Sequence, residues 1–251
     1  MQTRPALGPD SELVRDAFAL LQKSVRKKLR RCIVEGLSNV QAARDAGVCI
    51  YILCTEEFAD RSFGDIPLHV INSRASLKIS DTKTPPGIYA VCAIPDAVPE
   101  KLQRVFILDA LSDPGNMGTI IRSAHAFNFD AVYLVSNCAD PWSGKVLRSC
   151  AGYAFSVPII EVDTFTQVPG MTLLATSMTG ETSLSEIVRS EILATPHAWI
   201  IGNESHGISD SLLRNANYRV NIEMSEVAES LNAAVVAGIC AYQSFIAGSN
   251  L

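Results

Sequence analysis

The sequence predicts an α/β protein of two domains, and three observations carry that expectation. Its 251 residues exceed one ordinary domain. Strand-sized apolar runs, such as residues 131–135 and 198–201, alternate with stretches of helical periodicity, which implies a mainly parallel sheet covered on both faces. The stretch Pro95-Asp96-Ala97-Val98-Pro99-Glu100 interrupts that alternation with two prolines and two acids, as a linker would. The expected division is a smaller N-terminal α/β domain at residues 1–95, a linker at 96–103 and a larger α/β domain at 104–251, with a single large domain as the alternative.

Residues 11–31 read as one helix, because Leu13, Ala17, Leu20, Leu21, Val25 and Leu29 recur at helical spacing. After Val34-Glu35-Gly36 a second helix is expected at 39–46, with Gly47 as its C-cap, followed by the apolar strand 48–54. Short elements at 56–61, 68–71 and 76–80 lead to the sharp loop Pro85-Pro86-Gly87 and a last strand at 88–94. The second domain reads as strand 105–109, helix 117–128, strand 131–135, helix 145–150 and strand 157–160. It continues with strand 172–176, helix 184–189, strand 198–201, a short helix from Ser209, strand 218–222 and a C-terminal helix from about Val227. In such a sheet, ligands bind at the carboxyl ends of the strands.

Composition narrows the function. Residues that are 48% apolar can build a real core, yet no apolar run reaches the ~20 residues that span a bilayer, so no membrane partner is expected. The start, Met1-Gln2-Thr3-Arg4-Pro5, lacks the apolar core of a secretory signal, which makes the cytoplasm the expected compartment. Seven scattered cysteines without a C-x-x-C pair read as reduced thiols, and neither they nor the four dispersed histidines have metal-ligand spacing, so no metal is expected. The net charge of −5 is unevenly spread. Lys23, Arg26, Lys27, Lys28, Arg30 and Arg31 crowd into nine residues, a candidate phosphate-binding segment whose alternative is a solvated helix face.

Three loops of the second domain are polar or glycine-rich where a structural loop would need only turn residues. The first runs Leu108-Asp109-Ala110-Leu111-Ser112-Asp113-Pro114-Gly115-Asn116-Met117-Gly118-Thr119-Ile120-Ile121-Arg122. Here Pro114-Gly115 would turn the chain, Asn116 cap the next helix, Gly118 admit a close approach, and Arg122 lie in the second helical turn. The second is Gly202-Asn203-Glu204-Ser205-His206-Gly207, a carboxylate between glycines, which suits a ligand pocket or an ordinary capped turn. The third joins Ile222-Glu223-Met224 to Glu229-Ser230-Leu231-Asn232-Ala233-Ala234, where small residues allow close helix packing.

Together and in this order, N-x-G-x-x-x-R, G-x-E-x-x-G and S-L-N followed by small residues, the loops resemble the SpoU-type (TrmH-like) branch of the SPOUT RNA methyltransferases. The likeness spans about residues 104–243, including Asp140-Pro141 and Lys145-Val146-Leu147-Arg148-Ser149. The N-terminal half looks like that family's appended substrate-binding domain, similar to small ribosomal RNA-binding proteins, with Val34-Glu35-Gly36 at its expected place. The resemblance implies a trefoil-knotted catalytic domain, an exception to un-knotted topology. It also implies S-adenosylmethionine as cofactor, held by Gly202, Ile222 and Leu231 with neighbouring Asn203, Met224 and Ser230, and a homodimer. The implied reaction is methylation of an RNA ribose 2'-oxygen. Where family members commonly have proline this chain has Glu223, and where they often have glycine it has Ser205, both beside the implied cofactor pocket.

In-line methyl transfer depends mostly on positioning. The expected catalytic surface is Asn116, Arg122 and Glu204, completed by Ser230 and Asn232. A guanidinium offers five donors and no acceptor, so Arg122 is read as binding the phosphate beside the target ribose and stabilising charge on its oxygen, with Asn116 and Glu204 orienting Arg122 and the hydroxyl; Arg148 is added to the RNA-contacting cations. The ribosome-like appended domain favours structured rRNA over tRNA, in ribosome maturation or antibiotic resistance. The alternatives are a tRNA ribose methyltransferase, a base-methylating relative, and a knotted RNA-binding protein without activity. An ordinary Rossmann enzyme is disfavoured because no G-x-G-x-x-G follows the first strand of the second domain.

Overall fold

The computed structural model describes residues 5–96, 99–163, 165, 170–225 and 227–248. Residues 1–4, used above to assess a secretory signal, and Ala97 and Val98 of the expected linker lie outside the described residues. In chain order the first elements are α1 (Glu12–Ala19), α2 (Lys23–Leu29), β1 (Arg31–Glu35), α3 (Leu37–Asp45), β2 (Cys49–Cys54), β3 (Leu68–Val70), α4 (Ser73–Ile79) and β4 (Ile88–Ala93). Then follow β5 (Arg104–Asp109), α5 (Pro114–Ala126), β6 (Ala131–Val135), α6 (Gly144–Ser149), β7 (Ile159–Val162), β8 (Thr172–Thr176) and β9 (Thr182–Ser183). The last are α7 (Leu184–Arg189), β10 (His197–Ile201), α8 (Asp210–Asn215), β11 (Tyr218–Asn221) and α9 (Ala233–Gly248).

The chain divides into two compact units, Met1–Asp96 with Asp140–Ser156, and Ala97–Ala139 with Val157–Leu251. Thus the segment Asp140–Ser156, which sequence reading places inside the 104–251 domain, packs with the N-terminal residues instead. The physical reason is a pair of charged anchors. Asp140 receives two hydrogen bonds from Arg26, at 3.1 and 2.5 Å, with both side chains buried. Arg148 on α6 binds Glu35 at 2.5 Å and Asp81 at 3.2 Å.

In the first unit a four-stranded sheet runs β1-β4-β2-β3, with only the β2–β3 pair parallel. Alternation sends Ile33, Tyr51, Leu53, Tyr89 and Val91 to one face, where they pack with Val14, Ala17 and Leu20 of the N-terminal stretch and Ala75 and Ile79 of α4. The expected single helix at 11–31 is two helices and the start of a strand. Arg26 explains the break: its Nη1 donates to the Leu20 carbonyl at 2.6 Å, satisfying an oxygen that a continuous helix would have used. Arg30, at φ 50°, ends α2 in the left-handed conformation and lets Arg31 begin β1.

The second unit holds a seven-stranded sheet, all pairs parallel, in the order β7-β6-β5-β10-β8-β11-β9. Strands buried on both faces explain the near-continuous apolar runs, for example Ala198 to Ile201, each at most 1% exposed. Two helix starts differ from expectation. Asp113, not Asn116, caps α5, its carboxylate accepting the Asn116 N–H at 2.8 Å, so Pro114-Gly115 forms the first turn and Arg122 falls in the third. The C-terminal helix starts at Ala233 rather than near Val227, because the Asn232 side chain accepts the Ala234 N–H at 2.9 Å and so acts as its cap.

Candidate active site

The carboxyl ends of β10, β8 and β11 converge on one cavity of about 430 Å3. The walls come from strand ends and the loops that leave them: Gly202 to Ile208 after β10, Thr176 at the end of β8 with Ser177 to Thr179 after it, Ile222 and Met224 after β11, and Ser230 and Leu231 before α9. The volume lies within the range of about 300–1,000 Å3 usual for small-molecule pockets. Its lining mixes apolar side chains with hydroxyl-, amide- and carboxylate-bearing ones, the mixture usual for a small-molecule site.

Glycine is required at one point of this wall and at one point beside it. A Cβ at Gly202 would stand 2.4 Å from the Gly207 carbonyl carbon, and one at Gly180 would stand 2.6 Å from the Arg219 oxygen. Close approach at Gly202 lets Asn203 and Gly207 exchange backbone hydrogen bonds of 3.1 and 2.8 Å, which closes the loop and turns Glu204 outward from it. At Gly180 it allows Asn221 to donate to the Gly180 oxygen at 2.6 Å, fixing the loop after β8 against β11.

A polar chain adjoins the cavity. Asn116 Nδ2 donates to Glu204 Oε1 in a very short contact, and Asn232 Nδ2 donates to Asn116 Oδ1 at 2.9 Å. Glu204 belongs both to this chain and to the cavity wall. Of the residues singled out from sequence, Gly202, Asn203, Ile222, Met224, Ser230 and Leu231 all line the cavity, and Asn116, Glu204 and Asn232 are joined to one another. Arg122 stands apart from both groups. It is exposed, with no hydrogen bond or ion pair among the described residues.

The RNA-binding candidates separate by environment. Lys23, Lys27, Lys28, Arg30 and Arg31 are exposed, Arg30 in an ion pair with Asp96. Arg26 departs from expectation: at 6% exposure, with its donors given to Leu20 and Asp140, it is a structural residue. Arg148 likewise has its guanidinium committed to Glu35 and Asp81. The helical periodicity grouped Arg26 with the other cations of 23–31 as a candidate phosphate contact and could not see a partner 114 residues away.

Glu223 is absent from the cavity wall and turns toward the start of α7, where the Ser185 N–H donates to it at 3.4 Å. Hydrogen bonding from Ser185 holds its carboxyl below the usual range. Ser205 does line the cavity, its N–H donating to Asn203 Oδ1 at 2.8 Å. Sequence reasoning missed Thr176, Ser177, Met178 and Thr179. The available signal was their position at or just past the carboxyl end of a strand already assigned. Among the described residues no three His, Cys, Asp or Glu side chains form a metal-holding group, and no helix is long and apolar enough to cross a membrane.

Comparison with known proteins finds relatives that match both halves of the chain. Residues 103–242 match the SpoU rRNA Methylase family, and residues 11–90 match the MRM3-like substrate binding domain. The chain is 33% identical over 242 residues to the 23S rRNA (guanosine(2553)-2'-O)-methyltransferase RlmP of Bacillus subtilis, covering 92% of this chain and 95% of that protein. It is 28% identical to the AdoMet-bound rRNA methyltransferase from Sinorhizobium meliloti, with a TM-score of 0.79 over 95% of this chain and 97% of that one. The SpoU methyltransferase AviRb from Streptomyces viridochromogenes shares the fold, with a TM-score of 0.79 at 22% identity over 94% and 97% of the two chains.

Proposed function

This chain belongs to the SpoU rRNA methylase family, and on that premise we propose that it transfers a methyl group from S-adenosylmethionine to a ribose 2'-oxygen of 23S-type rRNA. The observation that carries the reading is the hydrogen-bonded chain Asn232–Asn116–Glu204 ending on the wall of a cofactor-sized cavity. When bound, S-adenosylmethionine supplies an electrophilic methyl group on a sulfonium.

In this reading Gly202, Ile222 and Leu231, with Asn203, Met224 and Ser230, hold the cofactor through backbone groups and short side chains. Asn116 and Glu204 orient the hydroxyl at the cavity mouth, with Asn232 fixing the Asn116 amide. Arg122, free to swing from the third turn of α5, binds the neighbouring phosphate and stabilises charge on the oxygen. Positioning of this kind supplies most of the rate enhancement.

The reading extends to architecture. Residues 1–95 form the RNA-binding domain and 104–251 the catalytic domain, trefoil-knotted, with Asp140–Ser156 tied to the former. The enzyme is a homodimer, supported by the apolar stripe Val235, Ile239, Tyr242 and Ile246 along α9, three of them more than a third exposed. It works in the cytoplasm, where ribosomes are assembled.

The test is transfer of labelled methyl to unmodified rRNA fragments and tRNA transcripts, with Arg122→Ala as control. Alkali-resistant labelled linkages in rRNA, lost in the variant, support the reading. Label confined to tRNA redirects it to a tRNA enzyme, and a folded protein that binds neither cofactor nor RNA ends it.

A further inference from the structure

Asp109, the last residue of β5, is 2% exposed, and its Oδ2 accepts the Ser209 N–H at 2.7 Å. Its Oδ1 is buried without a hydrogen-bond partner among the described residues. A buried carboxyl group with one satisfied oxygen is costly to keep, so the contact to Ser209 calls for a reason beyond packing. The next residue, Ala110, is held at φ 51°, a left-handed conformation that a residue with a Cβ rarely adopts. The carbonyl of that strained residue receives the Asn203 Nδ2 at 3.0 Å.

These features act on one loop. Asn203 begins and Ser209 follows the closed turn that carries Glu204, and the turn itself is shut by the reciprocal Asn203–Gly207 backbone bonds. Two consecutive residues at the end of β5 therefore grip the turn at both of its ends. Within the turn, the side chain of Glu204 must meet Asn116 on α5, the helix that follows the same strand. The grip references Glu204 and Asn116 to one common point.

We propose that Asp109 is a positioning residue for methyl transfer: together with the left-handed Ala110 it clasps the 203–209 turn and thereby fixes Glu204 against Asn116 and shapes the cofactor wall. The assignment rests on the function proposed above, yet part of its test does not depend on activity. Asp109→Ala removes the acceptor. Asp109→Asn keeps an oxygen that can accept the same N–H. Ser209→Pro removes the donor from the other side, and Ser209 at φ −60° has a proline-compatible backbone.

For each folded variant, amide exchange, S-adenosylhomocysteine binding by calorimetry, and kcat on the rRNA substrate are measured. Asp109→Ala is expected to speed exchange at residues 203–209 at least tenfold, with β5 residues 105–108 unchanged. It is also expected to weaken S-adenosylhomocysteine about tenfold and lower kcat tenfold or more. Ser209→Pro should reproduce the binding and kcat losses, and Asp109→Asn should stay within about fivefold of wild type.

Uniformly faster exchange across the domain would assign Asp109 to general stability and overturn the proposal, as would unchanged exchange in Asp109→Ala or unaltered binding in Ser209→Pro. If the wild type methylates no RNA, the functional reading fails separately, and the exchange and binding measurements still decide whether the clasp exists.

Discussion

Asn116 stands between Glu204 and Asn232 with its amide fully oriented: the nitrogen donates to Glu204 Oε1 and the oxygen accepts from Asn232 Nδ2 at 2.9 Å. This arrangement uses a carboxamide, which offers a donor and an acceptor from the same planar group. Replacing it by aspartate keeps the shape and the acceptor but sets two carboxyl groups face to face. Asn116→Asp is expected to lower kcat about 100-fold, a loss of about 2.7 kcal/mol in transition-state stabilisation, with smaller change in cofactor affinity. Single-turnover methyl transfer beside calorimetric cofactor binding checks it, and equal losses in both would place Asn116 in binding rather than in catalysis.

Arg122 makes no hydrogen bond or ion pair among the described residues, unlike Arg26, Arg30 and Arg148. A planar fork held in reserve suits a phosphate that arrives with the substrate. Arg122→Lys keeps the charge and loses the fork, so methyl transfer should fall about tenfold and Arg122→Ala further, with cofactor binding intact in both. Full activity in the lysine variant would remove the bidentate role.

The basic cluster divides into a structural cation and exposed ones. Alanine at Lys23, Lys28 and Arg31 together should weaken RNA binding and flatten its dependence on salt, since each phosphate contact contributes to that slope. Arg26→Ala should instead leave Asp140 buried without its cation and destabilise the protein by about 3–5 kcal/mol. Filter binding across a salt series and thermal melting separate the two, and an Arg26 variant with unaltered melting would return Arg26 to the surface group.

Much of this was legible in the sequence because parallel strands are local signals. The runs at 131–135 and 172–176 coincide with β6 and β8 to the residue, and the glycines of the 202–207 loop announce the close approach found there. The features that escaped depend on distant partners or on competition between caps. Periodicity carries 11–31 through as one helix because Leu20, Leu21 and Val25 keep the spacing; the break is stabilised by Arg26 reaching back to Leu20. Asn116 looked like a cap, but Asp113 precedes the helix-starting Pro114 and took that role. Nothing in the composition of 140–156 tells that its acid and its arginine answer charges at residues 26, 35 and 81.

The stripe of Val235, Tyr242 and Ile246 on α9 is exposed, while the other side of the helix carries Ala234, Ala237, Cys240 and Ala241 into the core. Charge placed on the stripe should therefore leave the buried side of the helix in place, with the edge-on contact of Tyr242 with Phe127 the packing it gives up. In the proposed homodimer this stripe is the contact, so Tyr242→Glu with Ile246→Glu is expected to sediment as a monomer at concentrations where the wild type sediments as a dimer. A variant that remains dimeric would move the interface elsewhere.

His197 gives a pH dependence whose sign follows from the structure. Its ring is fully buried, with Nδ1 2.7 Å from the Thr195 carbonyl and Nε2 2.8 Å from the Ser244 hydroxyl. A carbonyl only accepts, so Nδ1 carries the proton in the neutral ring, and Nε2 accepts from Ser244, whose oxygen receives the Trp199 indole N–H at 2.8 Å. Burial, opposed by the bond to Thr195 and aided by nearby Arg104, lowers the pKa below its ordinary value. The folded state thus binds the proton less readily than the unfolded chain, whose histidine titrates near about 6.5. The stabilising contribution is fully present above that value and is lost as the pH falls below it toward the folded pKa, at up to about 1.4 kcal/mol per pH unit. Melting measured from pH 8 to pH 5 should drop more steeply below about pH 6.5 in the wild type than in His197→Gln, which has no proton to take up. Parallel slopes in the two proteins would show that other groups govern the acid limb and that the His197–Ser244–Trp199 network keeps its geometry with the ring charged.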